Sequence, residues 1–194
     1  MNSLISNFLK TRKQTLKLVS NLDPEDMVVQ SESFTSPIKW HLGHTTWFFE
    51  KFILSKQAKY SEFDKSFNFI FNSYYDTVGE YNPKKKRGLL NRPLLKHVLN
   101  YRQLIDNKMV DLFNKKKITN KIKFLVELGI NHEQQHQELI LMDVLYNFFS
   151  NPLKPKFIKK SINKKKIYKK IIWECKKKIS FDYGTNGNLF HYDN

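Results

Sequence analysis

Two histidines four residues apart interrupt a predicted helix that is otherwise apolar at its regularly spaced positions. Residues 119–149 carry Leu125, Leu128, Leu139, Ile140 and Val144 at helical spacing, and His132, Gln135, His136 and Asp143 fall among them. Polar side chains on an apolar face cost free energy when buried unless they are paired or ligated. Spaced at i and i+4, His132 and His136 stack their imidazoles on one face, about one turn apart, close enough to share a metal ion. Such sites are built in the interiors of helical bundles, from side chains on facing helices.

Three more helices are predicted around this one. Residues 3–22 place Leu4, Ile5, Phe8, Leu9, Leu16, Leu18 and Val19 at roughly helical spacing, and Asp23-Pro24 ends the run. Ser36 as N-cap and Pro37 as first helical residue open a second helix, through Trp40, Leu42, Trp47, Phe48 and Phe52 to about residue 55. Asn91-Arg92-Pro93 opens a third, to about residue 114, and Thr119 caps the fourth, which Asn151-Pro152 stops. Between the second and third, residues 60–91 form a long irregular connection. Its aromatic residues, Phe63, Phe67, Phe69, Phe71, Tyr74, Tyr75 and Tyr81, predict that it packs down on the core. No strand pattern or internal repeat precedes residue 150. The fold class expected is all-α, a four-helix bundle over residues 1–152. A Lys-rich linker (153–178) follows, then a short β-prone tail (179–194) with turn formers Gly184, Asn186, Gly187 and Asn188.

Charge and cysteine content remove several function classes. The net charge is +16, but residues 151–178 alone, with 12 Lys and one Glu, contribute +11 of it. Lys outnumbers Arg 30 to 4. Readers of nucleic acid favour Arg for bidentate contacts, so this excess resembles coding bias more than a selected nucleic-acid surface. The same bias draws interest to Arg12, Arg87, Arg92 and Arg102. A single cysteine, Cys175, rules out an internal disulfide framework. No apolar run approaches the roughly 18 residues of a membrane span, and residues 1–10 do not read as a signal peptide. A cytoplasmic location is the default expectation.

The metal chemistry depends on a third ligand. His41 and His44, at i and i+3 on the second helix, can each face the bundle core, whereas His97 and His191 read as ordinary histidines. A zincin reading takes His132 and His136 as ligands and Glu133 as general base. Its extended downstream ligand spacings and its substrate-binding strand are both missing. The other reading takes His44 as the third ligand. Three histidines on one side of an octahedral ion leave up to three open positions, which suits non-haem Fe(II) oxygen chemistry.

Several motifs carry a resemblance to a known family. The segment Ser36-Pro37-Ile38-Lys39-Trp40-His41-Leu42-Gly43-His44-Thr45-Thr46-Trp47-Phe48-Phe49-Glu50 closely resembles the N-terminal helix motif of the ergothioneine-biosynthesis sulfoxide synthases. So do His132-Glu133-Gln134-Gln135-His136-Gln137-Glu138-Leu139 and Arg87-Gly88-Leu89-Leu90-Asn91-Arg92-Pro93 with Tyr101-Arg102, and Asp23 to Gln30 is similar as well. The resemblance covers residues 1 to about 150.

It implies a DinB-like four-helix bundle with Fe(II) held by His44, His132 and His136. Family members join a cysteine-type thiol to the imidazole of trimethylhistidine, using O2, and make a sulfoxide; related members act on histidine. Arg87 and Arg92 resemble the arginines that clamp substrate carboxylates, and Gln135 resembles a residue that contacts substrate imidazole, with a surface amide as the plainer alternative. Glu138 and Asp143 read either as carboxylates that orient the ligand histidines or as solvated groups. Trp40 and Trp47 read as core. Family members also carry a C-terminal formylglycine-generating-enzyme-like domain that supplies a tyrosine proton donor, and residues 179–194 resemble only its opening. The expectation is therefore a fragment or a split protein, with no catalytic residue in this chain and a separately encoded C-terminal domain as partner. A DinB-like zinc hydrolase or thiol transferase using the same three histidines is the alternative.

Overall fold

The second long helix of the chain is buried on every side, and the rest of the fold is arranged to cover it. In the computed structural model, which describes residues 2–115 and 118–158 together with 170–173, 180, 184, 190 and 191, the helices are α1 (Asn2–Leu18), α2 (Ile38–Phe52), the single turn α3 (Phe67–Ile70), α4 (Leu95–Asn114) and α5 (Asn120–Ser150). No strand occurs among the described residues. Every residue of α2 from Ile38 to Glu50 is buried. A helix enclosed all round lies at the centre of its fold, and α2 packs against both α4 and α5 while α1 packs along α5. The four long helices form the expected all-α bundle, and the compact unit they belong to spans Met1–Phe157.

The capping signals held at one end of the chain and failed at another. Thr119 caps α5 as expected, its hydroxyl accepting the Ile122 N–H at 3.2 Å. Ser36 does not cap α2; Pro37 takes that position and no side chain closes the turn. The Ser36 hydroxyl instead accepts from Arg87 Nη1 at 3.0 Å, and its backbone N–H donates to Asp143 at 3.0 Å. α4 starts at Leu95, not at Asn91. The Lys39 ammonium donates to the carbonyls of Leu90 (2.5 Å) and Pro93 (3.0 Å) and so holds the chain out of a helix there. α1 ends at Leu18, with Val19 and Leu22 buried beyond it in a turn.

The 60–91 connection packs down as its aromatic content predicts, although unevenly. Phe67 and Phe71 are buried, and Phe63 and Phe67 each lie 4.9 Å from the ring of Tyr101 on α4. Glu50 anchors the start of the segment, its carboxylate accepting from Tyr60 Oη (2.6 Å), the Phe63 N–H (2.8 Å) and Tyr101 Oη. Phe69, Tyr74 and Tyr81 remain exposed. Two glycines let α2 approach its neighbours. A Cβ at Gly43 would lie 2.2 Å from the Phe71 ring, and one at Gly129 of α5 would lie 2.5 Å from the ring of Phe49. Phe71 is thereby seated against α2, and α5 is drawn onto α2 close to His132.

One buried polar network joins all four long helices. Glu133 of α5 is fully enclosed. Its carboxylate accepts from Arg12 Nη1 (2.8 Å) and Thr15 Oγ1 (2.6 Å) of α1 and from Arg102 Nη2 of α4. Arg12 also donates to Asp106 of α4 (2.6 Å) and to Thr46 of α2 (2.9 Å). Burial alone would raise the Glu133 pKa, but Arg102 and Arg12 outweigh it and bring the group down to about 2. Removing one partner of such a network leaves a buried charge uncompensated, which costs about 3–5 kcal/mol. Glu133→Ala should therefore lower the stability of the chain by about that much in urea unfolding. Glu127→Ala, on the same helix, should shift the midpoint little.

The predicted linker and tail fall mostly outside the described residues. The unit Ile158–Asn194 is described only at scattered positions, of which Ile171, Ile172 and Trp173 are exposed. The strand expected after residue 178 lies outside them. Among the described residues, no helix is long and apolar enough to cross a membrane.

Candidate metal centre

Three imidazoles converge where α2 crosses α5. The ligand nitrogens of His44, His132 and His136 all lie within 4.8 Å of one another, and all three residues are buried. His44 Nε2 and His132 Nε2 are 3.2 Å apart. Two nitrogens bound to one ion at about 2.1 Å are separated by about 3.0–3.4 Å for right-angle to tetrahedral geometry, so this edge already has the spacing of a shared ion.

The surroundings fix which nitrogen each ring offers. His44 Nδ1 lies 2.6 Å from the carbonyl oxygen of Phe71. A carbonyl only accepts, so Nδ1 carries the hydrogen and Nε2 presents a bare lone pair to the site. A backbone carbonyl in this role fixes tautomer and ring orientation for a metal ligand. Trp40 stacks on the His44 ring with centroids 4.6 Å apart and planes 12° apart, which holds the ring in rotation. His132 Nδ1 is buried without a hydrogen-bond partner, while the ring packs 5.0 Å from Phe48 and turns Nε2 toward His44. His41 is buried as well, its Nδ1 2.8 Å from His136 Nδ1 and its Nε2 2.9 Å from Asp143 Oδ2.

All four rings are neutral at physiological pH. Burial pushes His44 and His136 well below the usual histidine range, helped by the neighbouring histidines. Burial likewise takes His132 down to about 4 against the opposing pull of Glu133. For His41 the burial effect exceeds the upward pull of Asp143. Neutral imidazole is the form that binds a transition ion. Three such rings with nitrogens directed at one point fit a divalent ion.

The site opens onto a cavity of about 580 Å³. Arg87 lies on its wall, buried, with its guanidinium carbon 3.3 Å from the centroid of Trp40, on which it stacks. Ser36 and Ser73 hydroxyls accept from its two terminal nitrogens at 3.0 and 3.2 Å, while Nε is left without a partner. Burial lowers its pKa to about 10, which leaves it a cation. Gln135 also lines the cavity and is exposed. Arg92 does not line it; its side chain is exposed beside the turn that Lys39 holds. Glu138 is exposed, whereas Asp143 binds the His41 ring. Trp40, read from the sequence as core, is buried but also forms part of the cavity wall.

A family profile described as the DinB superfamily matches residues 7–140, a stretch that contains all three converging histidines. The chain belongs to the DinB superfamily. Comparison with the curated proteins gave no match. In this DinB-superfamily bundle, the His132-Glu133-Gln134-Gln135-His136 string does not work as it would in a zincin. Glu133 points away from the site into the arginine network and sits at a pKa of about 2, so it is unfit to serve as a base.

The residues missed by sequence reasoning are His41, as a partner of His136, and the rim tyrosines Tyr74 and Tyr81. The i, i+3 spacing to His44 was the only available signal for His41. The buried rings also fix a pH dependence. In the unfolded chain histidine titrates near 6.5. Below that pH the unfolded state takes up protons that the folded apo site refuses, so stability is fully present above 6.5 and is lost as pH falls toward the His132 value of about 4. The urea midpoint of metal-free protein should drop steadily between pH 6.5 and 4.5, and a flat profile across that window would contradict neutral buried rings.

Proposed function

We propose that this chain is the iron-binding part of a non-haem Fe(II), O2-dependent sulfoxide synthase. Such an enzyme forms a C–S bond between a cysteine-type thiol and the imidazole of trimethylhistidine, as in ergothioneine biosynthesis. The observation that carries the reading is the neutral three-histidine face opening onto a cavity that holds a buried cation, Arg87, and no ionised base in contact with the rings. The sequence motifs around residues 36–50, 87–93 and 132–139 support the specific reaction.

In this reading His44, His132 and His136 hold the ion, which, when bound, supplies open coordination positions and O2 chemistry. Arg87 then receives a substrate carboxylate, for which its planar donor fork is suited. Trp40 keeps that guanidinium flat, and Ser36 and Ser73 orient it. Gln135, exposed on the cavity wall, is the residue for a substrate imidazole. Arg92, whose side chain is exposed and outside the cavity lining, has no role in this reading. The resemblance assigns proton donation to a tyrosine of a formylglycine-generating-enzyme-like domain. In this reading sulfoxide formation needs that tyrosine in addition to the three-histidine site.

Zinc is the competing occupant, because three neutral imidazoles also suit a tetrahedral site with one open position; that occupancy would favour a hydrolase or thiol transferase. Metal content after anaerobic purification separates the two, with iron expected at one equivalent per chain. His44→Ala should abolish stoichiometric Fe(II) binding. Arg87→Leu should weaken binding of the carboxylate-bearing substrates to the Fe(II) form about 10–100-fold, the value of one or two charge-assisted hydrogen bonds, while iron content stays at wild-type level. Unchanged substrate affinity in that variant would remove Arg87 from the site.

A further inference from the structure

His41 is the fourth imidazole of the cluster, and both of its nitrogens are already engaged. Nδ1 faces His136 Nδ1 at 2.8 Å and Nε2 faces Asp143 Oδ2 at 2.9 Å. A carboxylate oxygen accepts, so Nε2 of His41 carries a hydrogen. At 2.8 Å the two Nδ1 atoms share one hydrogen between them. With Nε2 protonated, the neutral His41 ring has only a lone pair at Nδ1, so the shared hydrogen belongs to His136. That leaves His136 Nε2 bare, and Nε2 is then the only nitrogen with which His136 can bind an ion. The far end of the chain is fixed too, since Asp143 Oδ2 also accepts the Ser36 N–H at the start of α2.

The geometry points to His41 and Asp143 as positioning residues for the metal site: a carboxylate–imidazole–imidazole chain from Asp143 through His41 that sets the tautomer and ring orientation of His136. Ligand histidines commonly donate their second N–H directly to a carboxylate or carbonyl. Here His44 does so to Phe71, whereas His136 reaches its carboxylate only through a second histidine. α2 therefore supplies both a ligand, His44, and the orienting partner of a ligand on α5. This inference rests on the three-histidine site and not on the reaction proposed for it, and neither of the following measurements involves turnover.

Long-range proton–nitrogen correlation spectra of the metal-free wild-type chain read the protonated nitrogen of each ring directly. His136 should be protonated on Nδ1 only and His41 on Nε2 only. Protonation of His136 at Nε2, or of His41 at both nitrogens, overturns the assignment. Co²⁺ titration, followed by its visible absorption, supplies the second test. His41→Phe should weaken Co²⁺ binding about 10–100-fold, the usual effect of losing an orienting partner, and shift the bands. Asp143→Leu should act in the same direction, and Asp143→Asn, which keeps an acceptor oxygen, should restore binding to near wild type. Unchanged affinity and bands in His41→Phe overturn the proposal, as does Asp143→Asn binding no better than Asp143→Leu. A loss in His41→Phe as complete as in His136→Ala also overturns it, because His41 would then be a ligand itself.

Discussion

The structure depends on the carboxylate of Glu133, held between Arg12 and Arg102 at the centre of the bundle. A buried ion pair is not strongly stabilising in itself, because desolvation offsets most of the attraction. Its effect here is on register. Glu133 is tied to α1 through Arg12 and Thr15 and to α4 through Arg102, while Arg12 reaches on to Thr46 of α2. Those bonds fix the rotation of α5 about its axis. Neighbouring residues on a helix point about 100° apart, so a fixed Glu133 also fixes where His132 and His136 point. The face that carries the three candidate ligands is set by hydrogen bonds that include none of their imidazoles.

The same logic accounts for the arginines. In a chain with 30 Lys, three of the four Arg are buried: Arg12, Arg87 and Arg102. Each occupies a position that an ammonium could not fill. Arg12 bridges Asp106, Glu133 and Thr46 from separate nitrogens. Arg102 spans Thr45, the Arg12 carbonyl and Glu133. Arg87 lies flat on an indole while donating sideways to two serines. A rigid planar fork with several donors makes these arrangements, and a flexible point charge does not. The fourth, Arg92, is exposed and bound to no such geometry.

This pattern marks how far the sequence could be read. Helical periodicity and the Thr119 cap located α5 almost to the residue, because those signals are local. The i, i+4 histidines marked one face of α5, whereas on α2 the spacing left both His41 and His44 able to face the core and the family resemblance chose His44. Ser36 was misread as a cap because the same residue type serves a tertiary bond to Arg87 as readily as a helix end, and only the packed neighbours decide. Arg87 and Arg92, alike in sequence, differ in the fold: Arg87 stacks on Trp40 in the cavity wall, whereas Arg92 is exposed and outside it. Asp143 and Glu138, equal candidates as sequence, differ by five positions on α5 and so face different sides; one meets His41 and the other meets solvent.

What the site can do follows from where its carboxylates are. Hydrolysis at a metal-bound water is assisted by a base within hydrogen-bond reach. Glu133, the base that the His-Glu-x-x-His string offers, is turned away and committed to two guanidiniums. Asp143 stands behind His41, one imidazole away from the ligands. The groups that do face the cavity, Arg87, Gln135 and the rim tyrosines Tyr74 and Tyr81, are suited to hold an anionic substrate rather than to take its proton. In the proposed reading, a site furnished in that way takes substrates that approach the ion with their own donor atoms, as a thiol and an imidazole would. The folding requirement met by Glu133 thus also narrows the chemistry: the residue that orients α5 is the one that a zincin would have used as its base.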